Sequence, residues 1–460
     1  MVRSGRGRAL QFGILGAAAV ALLGLFLWRE TGETTPVATP VVQASGAPGL
    51  QGGPVSEQAK SEWVLPEAPA KAADTDRDSV RKQAPAARAG DPTTRNEDGE
   101  GSYPGDRVDD ATIIALHGNK PLTADHPHVA AAIKIQERNT DWLMAHPTVV
   151  GTAVGLNDKG EIALLVMTKV AGATDIPGVI EGLPVVLWQS GEIFSRNRIP
   201  KQESFPLQGD LSPRNHYGGK LIQKYDWPVP IGVSTGLTSA DTPGYIMAGT
   251  LGARVKRGTE VFALSNNHVY ADEHPAPAAL TGALIVQPGT LDQADHGSAI
   301  TSGAGGEVIG TLSTFVPILT NGSNNLVDAA IAASTTDQLG NQPPAKNWTP
   351  KSAPVGAALK MSVKKVGRTT GETSGTVKGI NSTVNVNYGT TEAPVIAKFV
   401  NQIVIGNATF SAGGDSGSLI VKKTGNDPVG LLFAGSSSTT IANRIGDVLS
   451  ALNVTVDGTP

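Results

Sequence analysis

The chain has 460 residues and no cysteine, with 40% hydrophobic and 17% charged residues, 55 glycines, 31 prolines and a formal net charge of −4. Without cysteine there are no disulfides, no thiol catalysis and no thiolate ligands for zinc or iron–sulfur clusters. The lack of a basic excess excludes nucleic acid as a partner, and the low charge content excludes a long coiled coil.

Arg3, Arg6 and Arg8 precede an apolar run from Phe12 to Trp28 that Arg29 and Glu30 close. As a helix this run spans about 26 Å, just short of a ~30 Å hydrocarbon core. The basic residues before it hold that end in the cytoplasm. Residues 1–29 thus read as a signal anchor or signal peptide, with the rest of the chain extracytoplasmic, membrane-anchored or secreted. Leu27, Trp28 and Arg29 stand where a cleavable signal carries small residues, which favours an uncleaved anchor. Residues 30–108 turn to Pro, Ala, Ser, Thr and Gly without hydrophobic periodicity, the composition of a disordered linker.

Residues 109–195 read as a small α+β module. Asp125 is placed as the N-cap, with Pro127 in the first turn, of a helix running to about Ala145. Strands follow at Val149–Leu156 and Ile162–Thr168, joined by a turn at Asn157–Gly160, with a further strand at Pro184–Gln189. His126, His128 and His146 fall at helix ends without a carboxylate–His spacing, so no metal site is expected there. Residues 196–230 form a connecting loop.

From Ile231 onward, short β-rich segments alternate with Gly, Asn and Pro turns. They include Ile231–Thr235, Gly249–Val255, Glu260–Leu264, Leu284–Gln287, Leu326–Ala332, Lys360–Val366, Gly375–Ile380, Val384–Asn387 and Gly430–Phe433. The spacing predicts a mainly β body, a sandwich or barrels. Only Ile441–Leu452, near the end, reads as a helix.

Three places in this body carry chemistry. Ala263–Val269 is an apolar strand ending in Asn266, Asn267 and His268, where a histidine beside a loop is held rigidly with one ring face accessible. Asn325–Ile331 sets Asp328 inside an otherwise apolar strand, and a buried carboxylate is costly unless it is paired. Taken alone, an ordinary half-buried histidine and a solvent-facing aspartate are the better readings of these two. The third is Ser411-Ala412-Gly413-Gly414-Asp415-Ser416-Gly417-Ser418. Glycines on both sides of Ser416 permit a tight turn that projects its hydroxyl into a cleft. The same turn aims the N–H groups of Gly414 and Ser416 at one point, as an oxyanion hole requires. A plain β-turn before a strand uses the same residue types. The order His268, Asp328, Ser416 excludes the nucleophile-elbow hydrolases, whose histidine follows the serine. Ser362-Val363-Lys364-Lys365 matches a serine–lysine motif, but in a strand rather than the helix that motif needs.

With these motifs on the page, the chain resembles the trypsin-like (chymotrypsin-fold) serine peptidases. The resemblance rests on Asn267-His268-Val269, Leu326-Val327-Asp328-Ala329-Ala330 and Gly414-Asp415-Ser416-Gly417. Val366-Gly367-Arg368-Thr369-Thr370-Gly371 is similar to the opening of the second barrel in lytic-endopeptidase and streptogrisin-type bacterial members. The stretch from Gly249 to Val269 and the final Ala434–Ile445 also resemble the narrow-leaf type. The resemblance implies two packed antiparallel β-barrels, residues 231–350 with His268 and Asp328, and residues 351–460 with Ser416 and the C-terminal helix. It implies a serine endopeptidase working through an acyl-enzyme, with His268, Asp328 and Ser416 catalytic and Gly414 and Ser416 as the oxyanion hole. Phe433, Ala434 and Gly435 would bind the substrate. The expected partners are a peptide or protein substrate and, through the N-terminal run, a membrane; self-association is left open, and neither cofactor nor metal is needed. A catalytically silent fold that binds peptides or scaffolds an assembly is the alternative. There are departures. No Ile-Val-Gly-Gly-like new N-terminus exists, so a buried N-terminal ammonium on Asp415 has no support. The pocket base, if Phe410 or its neighbours supply it, lacks a carboxylate, which disfavours cleavage after Arg or Lys.

Overall fold

Two mainly antiparallel sheets, of eleven and eight strands, dominate the computed structural model. It describes residues 104–105, 108–173, 175–195, 198–200, 220–238, 245–273, 280–293 and 307–460. The apolar run Phe12–Trp28 and almost all of the expected linker lie outside the described residues. Among the described residues no helix is long and apolar enough to cross a membrane. Gly105 and Val108, inside the stretch read as linker, are buried, and the Gly105 N–H donates to Asp158 at 3.2 Å.

Helix α1, Asp110–His117, was not anticipated; Asp109 caps it by accepting from the Thr112 N–H at 2.7 Å. Helix α2 runs Pro127–Met144 as expected in its body, but His126, not Asp125, occupies the N-cap position. The Asp125 carboxylate is turned to the Thr123 hydroxyl instead. The hairpin Val149–Leu156 and Ile162–Thr168 forms around the expected turn, and Leu183–Gln189 adds in parallel to its second strand. This hairpin is not free-standing. Val149–Leu156 pairs antiparallel with the long strand Gly371–Asn387, with Gly151 opposite Val384. Leu143 of α2, Val154 and Leu164 therefore share one core with Ile380, Ile403 and Ile405.

In the larger sheet, six strands close on themselves in the order Ile396–Gly406, Thr439–Arg444, Pro428–Gly435, Leu419–Lys422, Ser362–Gly367 and Gly371–Asn387. The last of these pairs back onto the first. That ring is the second barrel. Two of its strands depart from the sequence reading. Gly371–Asn387 is one strand of 17 residues rather than two short ones. The apolar stretch from Ile441 begins as the end of strand Thr439–Arg444 and only then becomes a helix, Ile445–Leu452.

The eight-stranded sheet runs Thr455–Val456, Ala253–Arg257, Glu260–Ser265, Ala330–Ser334, Glu307–Phe315, Leu284–Gln287, Ser234–Leu237 and Gly249–Thr250. Gly249–Thr250, at one end of this order, and Ala253–Arg257, next to the other end, are consecutive in the chain, so the bend between them draws the sheet round into the first barrel. Between the barrels, Val255, Leu264 and Ile331 pack with Leu419, Leu431 and the Val448 and Leu452 face of the C-terminal helix.

Candidate active site

Strand register brings the first two site residues together. Glu260–Ser265 pairs antiparallel with Ala330–Ser334 so that Ser265 faces Ala330. The chain leaving Ser265 and the chain entering Ala330 therefore lie at the same end of the barrel. His268 sits there in a one-turn helix, Asn267–Tyr270, and Asp328 lies in the approach to its strand rather than within it, which corrects the expected placement. Both side chains are almost wholly buried.

Asp328 is held from several directions. His268 Nδ1 lies 2.5 Å from Asp328 Oδ2, and the His268 backbone N–H donates to Oδ1 at 3.2 Å. The Asp328 N–H donates to Asn443 Oδ1 at 3.1 Å, and its carbonyl accepts from Asn266 Nδ2 at 2.7 Å. Tyr388 comes from the second barrel and donates its hydroxyl to Asp328 Oδ2 at 2.7 Å. Burial pushes the Tyr388 phenol well above its ordinary range, and the neighbouring Asp328 charge adds to that. It therefore stays a donor at any working pH. A carboxylate only accepts, so His268 carries its proton on Nδ1 and presents a lone pair at Nε2. Nε2 is buried and makes no hydrogen bond, so the His268–Ser416 bond is not formed here.

Ser416 reaches this place on a loop that only glycine permits. Gly414 and Gly417 take φ of 92° and 93°, the left-handed side. A Cβ on Gly417 would lie 2.2 Å from Ser265 Oγ, and one on Gly414 2.5 Å from Thr369 Oγ1. The loop is fastened to the first barrel just before the His268 strand. The Thr250 N–H donates to the Ser416 carbonyl at 2.7 Å, and the Thr250 hydroxyl to the Gly414 carbonyl at 3.0 Å. Among the described residues, no acceptor takes the N–H of Gly414 or of Ser416. Two free, neighbouring backbone donors beside a serine are what anion stabilisation requires.

Asp415 anchors the same loop from inside. It accepts from the N–H groups of Thr369, Thr370 and Ala412 at 2.9, 3.1 and 3.0 Å, and from the Thr370 hydroxyl at 2.6 Å. Its cation is Lys365, whose Nζ lies 3.1 Å from Asp415 Oδ2 with both side chains fully buried. The counter-charge to Asp415 is thus an ammonium from within the chain. Desolvation lowers the Lys365 pKa, with Asp415 working against that shift. Lys365 was not foreseen; its alternation with Val363 along Ser362–Gly367 is the signal that could have shown it facing inward. Arg368 pairs instead with Asp292 of the first barrel, at 2.8 Å from Nε to Oδ2. Tyr388 and Asn443 were not foreseen. Asn443 could have been found as a polar residue in an apolar strand; Tyr388 carried no local signal.

A cavity of about 310 Å³ opens beside Ser416, lined by Ser411, Gly413, Ala434 and Gly435 among others. Phe433 does not line it, contrary to expectation. It points to the opposite face of its strand, fully buried 4.7 Å from Phe399, because neighbouring strand residues face opposite sides. Phe410 is also in the core rather than at the cavity. The cavity does hold a carboxylate, Glu192, contributed by the segment ahead of the barrels.

No family model matches the chain. Protein NARROW LEAF 1 of Oryza sativa subsp. japonica is 26% identical over 328 residues, covering 63% of this chain and 51% of the rice protein. The chain thus spans about half the length of that curated relative. Among solved structures it is similar to Thermobifida fusca protease A, 18% identical over 50% of this chain and 98% of that one, with a TM-score of 0.32. It is also similar to a Cellulomonas bogoriensis chymotrypsin, 18% identical over 51% of this chain and 100% of that one, TM-score 0.33. A glutamic acid-specific serine protease is 23% identical over 50% of this chain and 100% of that one, also at 0.33.

Proposed function

We propose that the chain is a serine endopeptidase that hydrolyses peptide bonds through an acyl-enzyme on Ser416. The observation that carries this reading is the buried His268–Asp328 pair with its free Nε2, in the same end of the molecule as a serine flanked by two unpaired backbone N–H groups. Ser416 Oγ attacks the scissile carbonyl as His268 Nε2 takes its proton. Asp328 holds the ring on Nδ1 and stabilises the imidazolium. The N–H groups of Gly414 and Ser416 meet the charge that develops on the carbonyl oxygen, worth about 3 kcal/mol each in comparable sites. The imidazolium then protonates the leaving amine, and water releases the acyl group by the reverse proton path. Ala434 and Gly435 offer an edge to the substrate backbone. The N-terminal apolar run supports an extracytoplasmic, membrane-tethered setting.

The test is active-site labelling with a fluorophosphonate. Labelling of the wild type that disappears in Ser416→Ala, with an unchanged melting temperature, is the expected result. Labelling that survives Ser416→Ala moves the nucleophile elsewhere. A wild type that never reacts, even after the segment described next is released, leaves the catalytically silent peptide-binding fold.

A further inference from the structure

The edge that should receive a substrate is already paired. The Phe194 N–H donates to the Gly435 carbonyl at 2.9 Å, and the Gly435 N–H donates back to the Phe194 carbonyl at 3.0 Å. On the other side of the same segment, the Ser195 N–H donates to the Asn387 carbonyl at 3.1 Å, and the Asn387 N–H to the Ile193 carbonyl at 2.9 Å. Ser436 Oγ adds a bond to the Ser190 carbonyl at 2.5 Å. Ile193 is fully buried in the cluster that holds Phe399 and Phe433. Glu192 and Phe194 line the cavity that Ser416 also lines.

The chain then crosses to the other barrel. Arg198–Pro200 pairs antiparallel with Tyr245–Met247, with Arg198 opposite Met247. Met247 stands two residues before Gly249, where an added Cβ would lie 3.0 Å from the Ser416 carbonyl. Since a chain advances at most ~3.6 Å per residue, Ser195 and Arg198 are no more than about 11 Å apart. Two segments only two residues apart in the chain are therefore hydrogen-bonded, one to Gly435 and Asn387 of the second barrel and the other to Tyr245–Met247, which leads into Gly249–Thr250 beside Ser416.

An extended peptide binds such an edge by adding a strand. Gly435 has one N–H and one carbonyl to offer, and Phe194 holds both. We propose that Gly191–Ser195 and Arg198–Pro200 lie as a resident peptide strand in the substrate groove of Ser416, so that the site is closed by its own chain and opens only when this strand is displaced. The proposal rests on the peptidase reading for the name of the groove, while the strand's occupancy can be measured without any chemistry. The occupant it predicts for the groove is an extended backbone, and the resident sequence is the first peptide to try.

The experiment uses the full chain carrying Ser416→Ala, and a fluorescein-labelled synthetic peptide copying residues 190–200. Phe194→Pro removes the N–H that reaches Gly435. Glu192→Ala removes the resident carboxylate that accepts from Asn387 Nδ2 at 3.2 Å, a bond the added peptide can still make, and decides the matter if the proline variant fails to fold. The peptide should bind Phe194→Pro at least tenfold more tightly than the parent, and Glu192→Ala about threefold more tightly. Equal affinity for the parent and the folded variants, or no saturable binding to any of them, overturns the proposal. Fluorophosphonate labelling of the same variants with Ser416 restored separates the two readings. The expected result is at least tenfold faster labelling of Phe194→Pro. Ordered peptide affinities without labelling of any variant would overturn the peptidase and keep the resident strand. Equal labelling of parent and variants together with equal peptide affinity would overturn the strand and keep the peptidase.

Discussion

Asp328 Oδ2 faces His268 Nδ1 and the Tyr388 hydroxyl together, so a residue of the second barrel helps to position a pair built by the first. Tyr388→Phe deletes one charge-assisted bond to a buried carboxylate and nothing of the ring packing against Phe399. A hydrogen bond to a charged group is worth about 1.5–3 kcal/mol, so a stability loss of about that size is expected in urea unfolding. If the hydroxyl orients the catalytic pair, kcat falls while KM stays close to its wild-type value. A loss confined to KM, or none at all, would assign Tyr388 a purely packing role. The same residues show how far a sequence can be read at this scale. His268 closes an apolar run, Asp328 interrupts one and Ser416 sits between glycines, each a pattern visible locally. Tyr388 meets Asp328 only through the fold, across 60 residues of chain.

At the scale of elements, the Ser416 loop depends on a strand that carries no site residue. Ser362–Gly367 places Lys365 under Asp415, and the Thr369 and Thr370 N–H groups complete the carboxylate's shell. Removing one partner of such a pair leaves an uncompensated buried charge, so Lys365→Met should cost about 3–5 kcal/mol and abolish fluorophosphonate labelling. The pH dependence follows from the lowered Lys365 pKa. Between the folded value and the ordinary lysine range above it, the unfolded chain binds the extra proton, so stability rises with pH across that window. Lys365→Met has no such group. Its stability deficit relative to the wild type should therefore widen in urea titrations as pH rises toward the ordinary lysine pKa of ~10.4. A gap that narrows over that range contradicts a lysine whose charge is disfavoured by burial. The hairpin shows the opposite case of an element legible by itself. The Val149–Leu156 and Ile162–Thr168 limits were readable because Asn157–Gly160 interrupts two β-branched runs, and the Gly160 N–H closes the turn on Asn157 at 3.0 Å.

For the whole molecule, the stretch read as a separate module extends the second barrel's sheet and shares its core. Val149–Leu156 covers one edge of Gly371–Asn387, and α2 reaches across it, with Gln136 Nε2 donating to the Asn381 carbonyl at 2.8 Å. Residues 220–460 expressed alone would expose that edge together with Val377 and Ile380. They should therefore be insoluble or aggregate, and supplying residues 104–219 in trans should recover soluble protein. Full solubility of 220–460, with the melting temperature of the longer chain, would show that the barrels do not need this layer. The result bears on the resident strand as well, since Gly191–Ser195 is the last part of the same layer and reaches the site only because the hairpin is anchored on the barrel.

The sequence by itself determined the mainly β character and the helix at the C-terminal end, and it singled out His268, Asp328 and Ser416, because alternation, turn chemistry and glycine spacing are local properties of the chain. It also carried the limits of the hairpin. What only the tertiary structure decided depends on partners far apart in the chain. Gly371–Asn387 runs as one strand because neighbours on both sides supply its ladder. The stretch from Ile441 divides between strand and helix because Ile403–Gly406 pairs with its first half and the inter-barrel core takes the rest. Ammonium and carboxylate meet at Asp415, and Phe194 meets Gly435, only once the barrels have closed. Burial and backbone pairing are set by what folds against a residue, and a single chain written in order does not contain that information locally.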